Sequence, residues 1–454
     1  MKKVIKNARL YDKQEEKKNI VMEGDEITAI LPLSDATVEG MQLIYDAAGA
    51  YVFPGFIDVH VHFNDPGRCD WEGFPTGSTA AVAGGVTTVV DMPLNCHPSV
   101  IDMITLKNKQ NHLRGRSYCN YGLWAGITAN NVHQEKELEQ MALAGIVGFK
   151  GFLSESGIED FPYLDEASLS SAMKYCAQLN TVLALHAEWE NDIAPLEKRL
   201  RAAGRTDVRA FLESRPVEAE LSAINRVIEI AGKYGTKIHV VHVSHPEVVA
   251  LLQQAKASGI DVFIETCPHY LLFHEEDFIQ QGPVLKCAPP LRSRDSVEGL
   301  WECIDRGWID SIGSDHSPCL PSMKDRGKEN IWLAWGGIQG VQFGNQAFIS
   351  EGVRRQLSLS KLVPLLTSNL ASRFDLLKNE GEISEGKQAN FVIYQTQRTK
   401  YVRKDDLLFR HKFSPYVGME FQGEIQATIV NGSLSYEREK GMLGNLMGER
   451  LSPR

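Results

Sequence analysis

Over its first 50 or so residues the chain alternates apolar and polar positions in short runs, Val4–Ile5, Ile20–Met22 and Ile27–Leu31, separated by turn residues. Runs of period two and this length predict small antiparallel strands. The same texture returns from Gly381 through Ala389–Tyr394 to Ala427–Gly432. A small β-sandwich domain built from both ends, residues 1–52 and 380–440, is therefore expected. Between these segments the apolar runs come at a different spacing. Strand ends are read at Phe56–His62, Thr87–Met92, Tyr121–Gly126, Val147–Leu153, Val182–Ala187, Ile238–Val243, Val262–Thr266 and Ser311–Asp315. Helical patterns such as Ala167–Leu179 and Ala219–Tyr234 fill the gaps. Eight strand and helix units in sequence predict an α/β fold of the (β/α)8 TIM-barrel type over residues 53–379, with its chemistry at the carboxyl ends of the strands. Residues 441–454, rich in Gly, Arg and Pro, are expected to form a C-terminal tail, either loose or laid as an arm on a neighbouring subunit.

Composition narrows the function classes. At 454 residues the chain is too long for one small core. Its net charge of -10, without a basic run, argues against a nucleic-acid surface and gives no reason to expect binding to anionic membranes. The opening MKKVIKNARL reads as a short strand and not as a leader. No apolar run approaches the ~20 residues of a membrane span, and a cytoplasmic location is expected. The eight cysteines are scattered with no CxxC pair, so they are read as reduced thiols and not as a zinc knuckle or disulfide framework. Cys287 and Cys319 lie near the candidate site, with packing as the simpler role for both.

The first barrel strand ends in His60-Val61-His62. Alternation along a strand puts both imidazoles on one face, where they can grip one metal ion. An isolated HxH pair is as readily part of a polar core. The other strand ends change the balance: the fourth carries Lys150, the fifth ends in His186, the sixth in His242 and the eighth in Asp315. These N and O donors at one barrel mouth form a metal constellation. Lys150 is the odd member, since an unpaired buried ammonium is costly. Carboxylation by CO2 would make it an anionic carbamate (N6-carboxylysine) with one oxygen for each of two metals about 3.5 to 4 Å apart. The alternative is a lysine reaching out to solvent. Asp315 has three readings: ligand only, helix cap before Ser317-Pro318, or the catalytic group that takes the nucleophile's proton and returns it to the departing nitrogen. His239, three residues before His242, is expected to point toward the helices, with His245 and His316 behind the ligands and His269 bracing the loop after the seventh strand. His112 is expected in an outer helix or loop.

The stretches His60–Arg68 (HVHFNDPGR), Trp71–Phe74 (WEGF), Ala83–Thr88 (AGGVTT), Asp91–Asn95 (DMPLN), Glu265–Leu271 (ETCPHYL), Lys286–Pro290 (KCAPP) and Ser314–Cys319 (SDHSPC) resemble the cyclic amidohydrolases of the amidohydrolase superfamily, and among them most the allantoinases. The resemblance covers nearly the whole chain. It implies that His60 and His62 hold the first of two divalent metal ions with Asp315, that His186 and His242 hold the second, and that the Lys150 carbamate bridges them. Zinc suits these ligands, as do cobalt, manganese and iron. It further implies a homotetramer acting on a small molecule, with a metal-bridging hydroxide attacking the hydantoin-ring carbonyl of allantoin to give allantoate in purine (ureide) breakdown. Asn95, Ser317 and Cys287 are the candidate substrate contacts, although a strand-end Asn is also a common turn residue. Arg68 is read either as orienting a loop or substrate or as a surface ion pair. Dihydroorotases place an arginine where this chain has Asn64, which favours a substrate without a ring carboxylate. Asp65 and Cys69 depart from the Glu and Thr usual in the allantoinase pattern. Two other readings stay open: a hydantoinase or dihydropyrimidinase acting on 5-substituted hydantoins or dihydropyrimidines, and a non-catalytic scaffold of the same fold.

Overall fold

The structure, a computed structural model, describes residues 1–12 and 16–451. Strands β1 (Lys2–Leu10), β2 (Lys17–Glu23), β3 (Glu26–Pro32), β4 (Gln42–Asp46) and β5 (Tyr51–Pro54) open the chain. The barrel follows with β6 (Phe56–Val61), β7 (Val86–Asp91), β8 (Asn120–Leu123), β9 (Ala125–Gly126), β10 (Gly148–Phe152), β11 (Val182–His186), β12 (Lys237–Val240), β13 (Val262–Thr266) and β14 (Ser311–Ile312). Every residue of β6, β7, β8, β11 and β13 is buried. Strands covered on both faces need runs of apolar residues, which is why they read as continuous stretches and not as alternating ones. At the start of β6 the first two strands touch: a Cβ on Gly55 would stand 2.0 Å from Thr87 Oγ1, so only glycine fits.

β8 and β9 are two halves of the third strand, interrupted at Trp124, whose N–H still donates to Asp91 O at 3.0 Å. The ring closes between first and eighth strands, where His62 N–H donates to His316 O at 2.8 Å and Val61 bridges His316. Helices pack outside. The helix Glu166–Gln178 is capped by Asp165, whose carboxylate accepts from Ser168 N–H at 2.8 Å. The helix Val217–Tyr234 buries Ala219, Ala223, Ile224, Val227 and Ala231 along one stripe and stops at Gly235, left-handed at φ 71°.

Strands β15 (Phe391–Tyr401), β16 (Glu420–Val430), β17 (Ser433–Glu437) and β18 (Gly441–Met442) join β1–β5 in one nine-stranded sheet. It forks at β1, which pairs in parallel with β4 along Lys3–Lys6 and with β5 along Arg9–Leu10. Ile5, Ile20, Val52, Phe391, Ile393 and Ile429 share one core within it. The tail behaves differently from expectation. Through residue 451 it is bonded to its own chain and is not loose: Gly448 N–H donates to Ser117 O (2.9 Å), Tyr121 N–H to Glu449 O (2.9 Å) and Leu451 N–H to Tyr121 O (2.8 Å). β10 begins to pair with the third strand only at Ala125, so the tail satisfies the open edge of β8. Among the described residues no helix is long and apolar enough to cross a membrane.

Candidate metal centre

β6 directs His60 and His62 into the carboxyl-terminal mouth. Their Nε2 atoms stand 3.1 and 3.4 Å from the same Asp315 oxygen, Oδ1. Across the mouth His186 Nδ1 lies 3.0 Å from His242 Nε2. The four imidazoles form a row, with centroids 5.7 Å apart from His62 to His60, 5.5 Å from His60 to His242 and 4.7 Å from His242 to His186. Lys150 enters from β10. Its amine is wholly buried, has no hydrogen-bond partner among the described residues and lies 5.1 Å from the Phe152 ring. The structure thus gathers all six residues, drawn from five barrel strands and far apart in sequence.

Two of them arrive by a backbone device that alternation does not foresee. His242 and Asp315 adopt φ 42° and 43°, a left-handed conformation that costs a non-glycine residue about 1–2 kcal/mol. β12 ends at Val240, so parity cannot be counted through to His242. In the ladder Lys150 stands beside Ala184 and Ala184 beside His239. His239 therefore shares the inner face with Lys150, and the expectation that it points toward the helices is corrected: it is buried, with Nε2 donating to Glu265 Oε2 at 3.0 Å.

A second layer fixes which nitrogens face the mouth. Glu265, from β13, also accepts from His60 Nδ1 at 2.7 Å. Glu188 accepts from His186 Nε2 at 2.8 Å and is itself held by Arg215 Nη1 at 2.6 Å. Despite burial, Arg215 and His186 pull the Glu188 carboxyl down to about 2, and His60 with His239 does the same for Glu265. Burial opposes the charge on Asp315 too, yet His60 and His62 hold its carboxyl well below the usual range. Burial pushes the Lys150 ammonium down to about 8, with Asp315 and Glu265 opposing it. An ionised carboxylate facing two imidazole nitrogens, an amine with no partner, and two imidazoles turned nitrogen to nitrogen suit cations better than protons. His60, His62 and Asp315 offer three donors within 4.8 Å of one another, and ligating imidazoles typically have their remote nitrogens held in this manner. Glu265→Gln is expected to weaken metal retention about 10- to 100-fold, read by titrating bound metal against a chelator. Retention equal to that of the unaltered protein would deny Glu265 this role.

The mouth opens into a cavity of about 350 Å³ lined by His60, His62, Asn95, His186, His242, Asp315 and Ser317, with Trp332 and Trp335 on one wall. Asn95 (φ 69°) places Nδ2 3.4 Å from Ser317 Oγ. Arg68 makes no ion pair there but donates to Asn95 O at 3.0 Å, holding that turn. Cys287 does not line the cavity; it packs in the main core while its neighbours Lys286 and Ala288 face the space. Parity within the extended KCAPP segment explains the exchange. Asn64 also stays out, donating to Pro318 O at 3.1 Å. Lys286 donates to Ile331 O (2.9 Å) and Ala334 O (2.7 Å), and Lys324 to Trp335 O (2.9 Å), so two buried lysines pin the loop that carries both tryptophans.

Glu265 and Lys286 stand in the ETCPHYL and KCAPP stretches without a role assigned from sequence, and Glu188, Arg215 and Lys324 were not singled out. Two left signals: Glu265 interrupts an otherwise apolar buried strand, and Glu188 follows His186 by two residues. A carboxylate in either setting needs a partner. Arg215 and Lys324 left none, because sequence alone does not show that these cations are buried and not reaching solvent.

A closed parallel barrel with imidazoles, a buried lysine and an aspartate at the strand ends presents donors that could hold metal ions, and the chain is a hydrolase that belongs to the amidohydrolase family, whose model matches residues 51–434. Among curated relatives, an allantoinase of Rubrobacter xylanophilus is 42% identical over 393 residues, 86% of this chain and 85% of its own. An allantoinase of Bacillus velezensis is 40% identical over 449 residues, 98% of this chain and 97% of its own. Among solved structures, the L-hydantoinase (dihydropyrimidinase) of Arthrobacter aurescens superposes with a TM-score of 0.94 at 29% identity, covering 99% of both chains.

Proposed function

We propose that this chain hydrolyses the hydantoin-ring amide of allantoin to allantoate. The observation that carries the reading is its 40% identity, over 98% of its length, to a protein named allantoinase, in a chain where His60, His62, His186, His242 and Asp315 line one cavity and the Lys150 amine is buried without a hydrogen-bond partner among the described residues. Two divalent ions fit the donor set, zinc first, with cobalt, manganese or iron as alternatives. His60 and His62 with Asp315 would hold one and His186 with His242 the other, while Lys150, carboxylated by CO2, would offer an oxygen to each. When bound, the ions would supply a water acidified toward neutrality and an electrophile for the scissile carbonyl.

The chain's own residues do the rest. Asp315 takes the proton of the attacking water and hands it to the departing ring nitrogen, so the C–N bond breaks after the new C–O bond forms and the carboxylate is regenerated. Glu265 and Glu188 keep His60 and His186 turned toward the mouth. Asn95 and Ser317 are placed to hydrogen-bond the ring or its ureido group. The loop pinned by Lys286 and Lys324 holds Trp332 and Trp335 on one wall of the cavity, where their rings give the substrate an apolar face. Assembly into a homotetramer belongs to the same proposal.

The likeness to the Arthrobacter enzyme favours a second reading, hydrolysis of simple hydantoins or dihydropyrimidines. Turnover of allantoin beside hydantoin, dihydrouracil and dihydroorotate, on protein whose metals have been counted, separates the two. Allantoate formation that dominates and is lost on chelation is the expected result. Activity confined to unsubstituted hydantoins would keep the chemistry and reject the substrate.

A further inference from the structure

The loop 63–73, which leaves β6 directly after His62, carries a second set of metal-type donors away from the barrel mouth. Asp65 Oδ1 lies 2.5 Å from Nε2 of His112, the last residue of the helix Met103–His112, and 3.0 Å from Cys69 Sγ. One donor atom from each of the three residues falls within 4.8 Å of the others. The second carboxylate oxygen is engaged elsewhere: Oδ2 accepts from Phe74 N–H at 3.0 Å and lies 3.2 Å from Arg116 Nη2. Oδ1 is thus left to the imidazole and the thiol. The Asp65 side chain is wholly buried, Cys69 is half-buried and the His112 side chain is 37% exposed. An anchored carboxylate therefore meets two ligands that solvent can reach, which leaves an entry path from solvent.

Imidazole nitrogen, thiolate sulfur and carboxylate oxygen are the donors that zinc and its neighbours take at structural sites. As a hydrogen-bonded cluster the three groups aim two protons at a single oxygen. A cation would replace both, taking the thiolate of Cys69 and the Nε2 lone pair of His112 beside Oδ1. Thiolate and carboxylate contribute two negative charges against Arg116 and a divalent ion, leaving one net positive charge at a solvent-open site. Burial and the bond to Asp65 push the Cys69 thiol up to about 11, so binding must expel its proton.

We propose that Asp65, Cys69 and His112 form a second cation site, for one divalent thiophilic ion of the zinc class, separate from the centre at the barrel mouth. Its place gives it a task. The same loop supplies Arg68, which holds Asn95 O, and Trp71, whose ring meets Trp335 edge-on at 4.9 Å. An ion here would tie that loop to the helix Met103–His112 and stiffen one side of the cavity. The inference does not depend on which ring the enzyme opens.

The full chain, stripped with a chelator and reloaded with Co2+ alone, tests it. A thiolate-to-cobalt charge-transfer absorption is expected in the unaltered protein. Cys69→Ser should lose the band, His112→Ala should weaken or shift it, and each should bind one ion fewer per chain while the remaining ions stay. His112 is open enough to truncate without unfolding, so it carries the test if Cys69→Ser fails to fold. Absence of the band in the unaltered protein, or a band and ion count that persist in the variants, overturns the proposal.

Discussion

Asp315→Asn is expected to lower kcat by about 10³- to 10⁴-fold, the larger of two effects argued from the barrel mouth. Asparagine keeps the shape but carries no proton between water and leaving nitrogen. Its amide also cannot offer the charge that now faces His60 and His62 at 3.1 and 3.4 Å. Because those imidazoles hold the carboxyl well below its usual range against the cost of burial, the group is ionised across neutral pH and becomes protonated only on acidification below the usual carboxylate range. The carboxamide does not titrate, so raising the pH should not restore the variant's activity. Steady-state kinetics at matched metal content decide the matter. An Asn variant within tenfold of the parent would leave Asp315 as a ligand without a role in proton transfer.

Lys150→Met should dissociate activity from folding. Methionine keeps much of the buried stem and removes the amine, which has no partner inside the barrel. The chelated variant is expected to be as stable as the chelated parent or more stable, by about 1–3 kcal/mol, the cost of leaving a buried polar group unpaired. Its activity should nevertheless fall by about 10³-fold or more, since losing Lewis-acid stabilisation forfeits several kcal/mol at about 1.4 kcal/mol per tenfold. Thermal melts in chelator, beside metal counts and turnover in its absence, give both readings from one preparation. A Met variant that retains two ions and full turnover would refute the carbamate, and a melt lowered in chelator would show that Lys150 serves the fold.

Much of this was legible in the chain. Runs such as Val182–Leu185 and Val262–Ile264 are apolar because parallel strands are buried on both faces, and such runs at regular spacing announce a barrel. Barrel topology then brings strand ends together whatever the intervening sequence, so His60, His62, Lys150, His186, His242 and Asp315 could be placed at one mouth from the sequence alone. The short alternating runs near both ends likewise pointed to a separate β-rich part.

What sequence could not settle depended on positions where the backbone leaves its period, or on partners on other elements, tens to hundreds of residues away. His239 was misassigned because alternation was carried beyond Val240, where β12 has ended and His242 turns left-handed. Glu265 joins His60 across 205 residues, Lys286 reaches carbonyls of a loop 45 residues on, and the tail finds its place only because β8 leaves an edge open. Local pattern records which side chains must be buried and with what period, since each strand or helix enforces that for itself. Which buried carboxylate meets which imidazole is decided by closure of the barrel, because only then do desolvated charges from distant strands face one another and have to be paired.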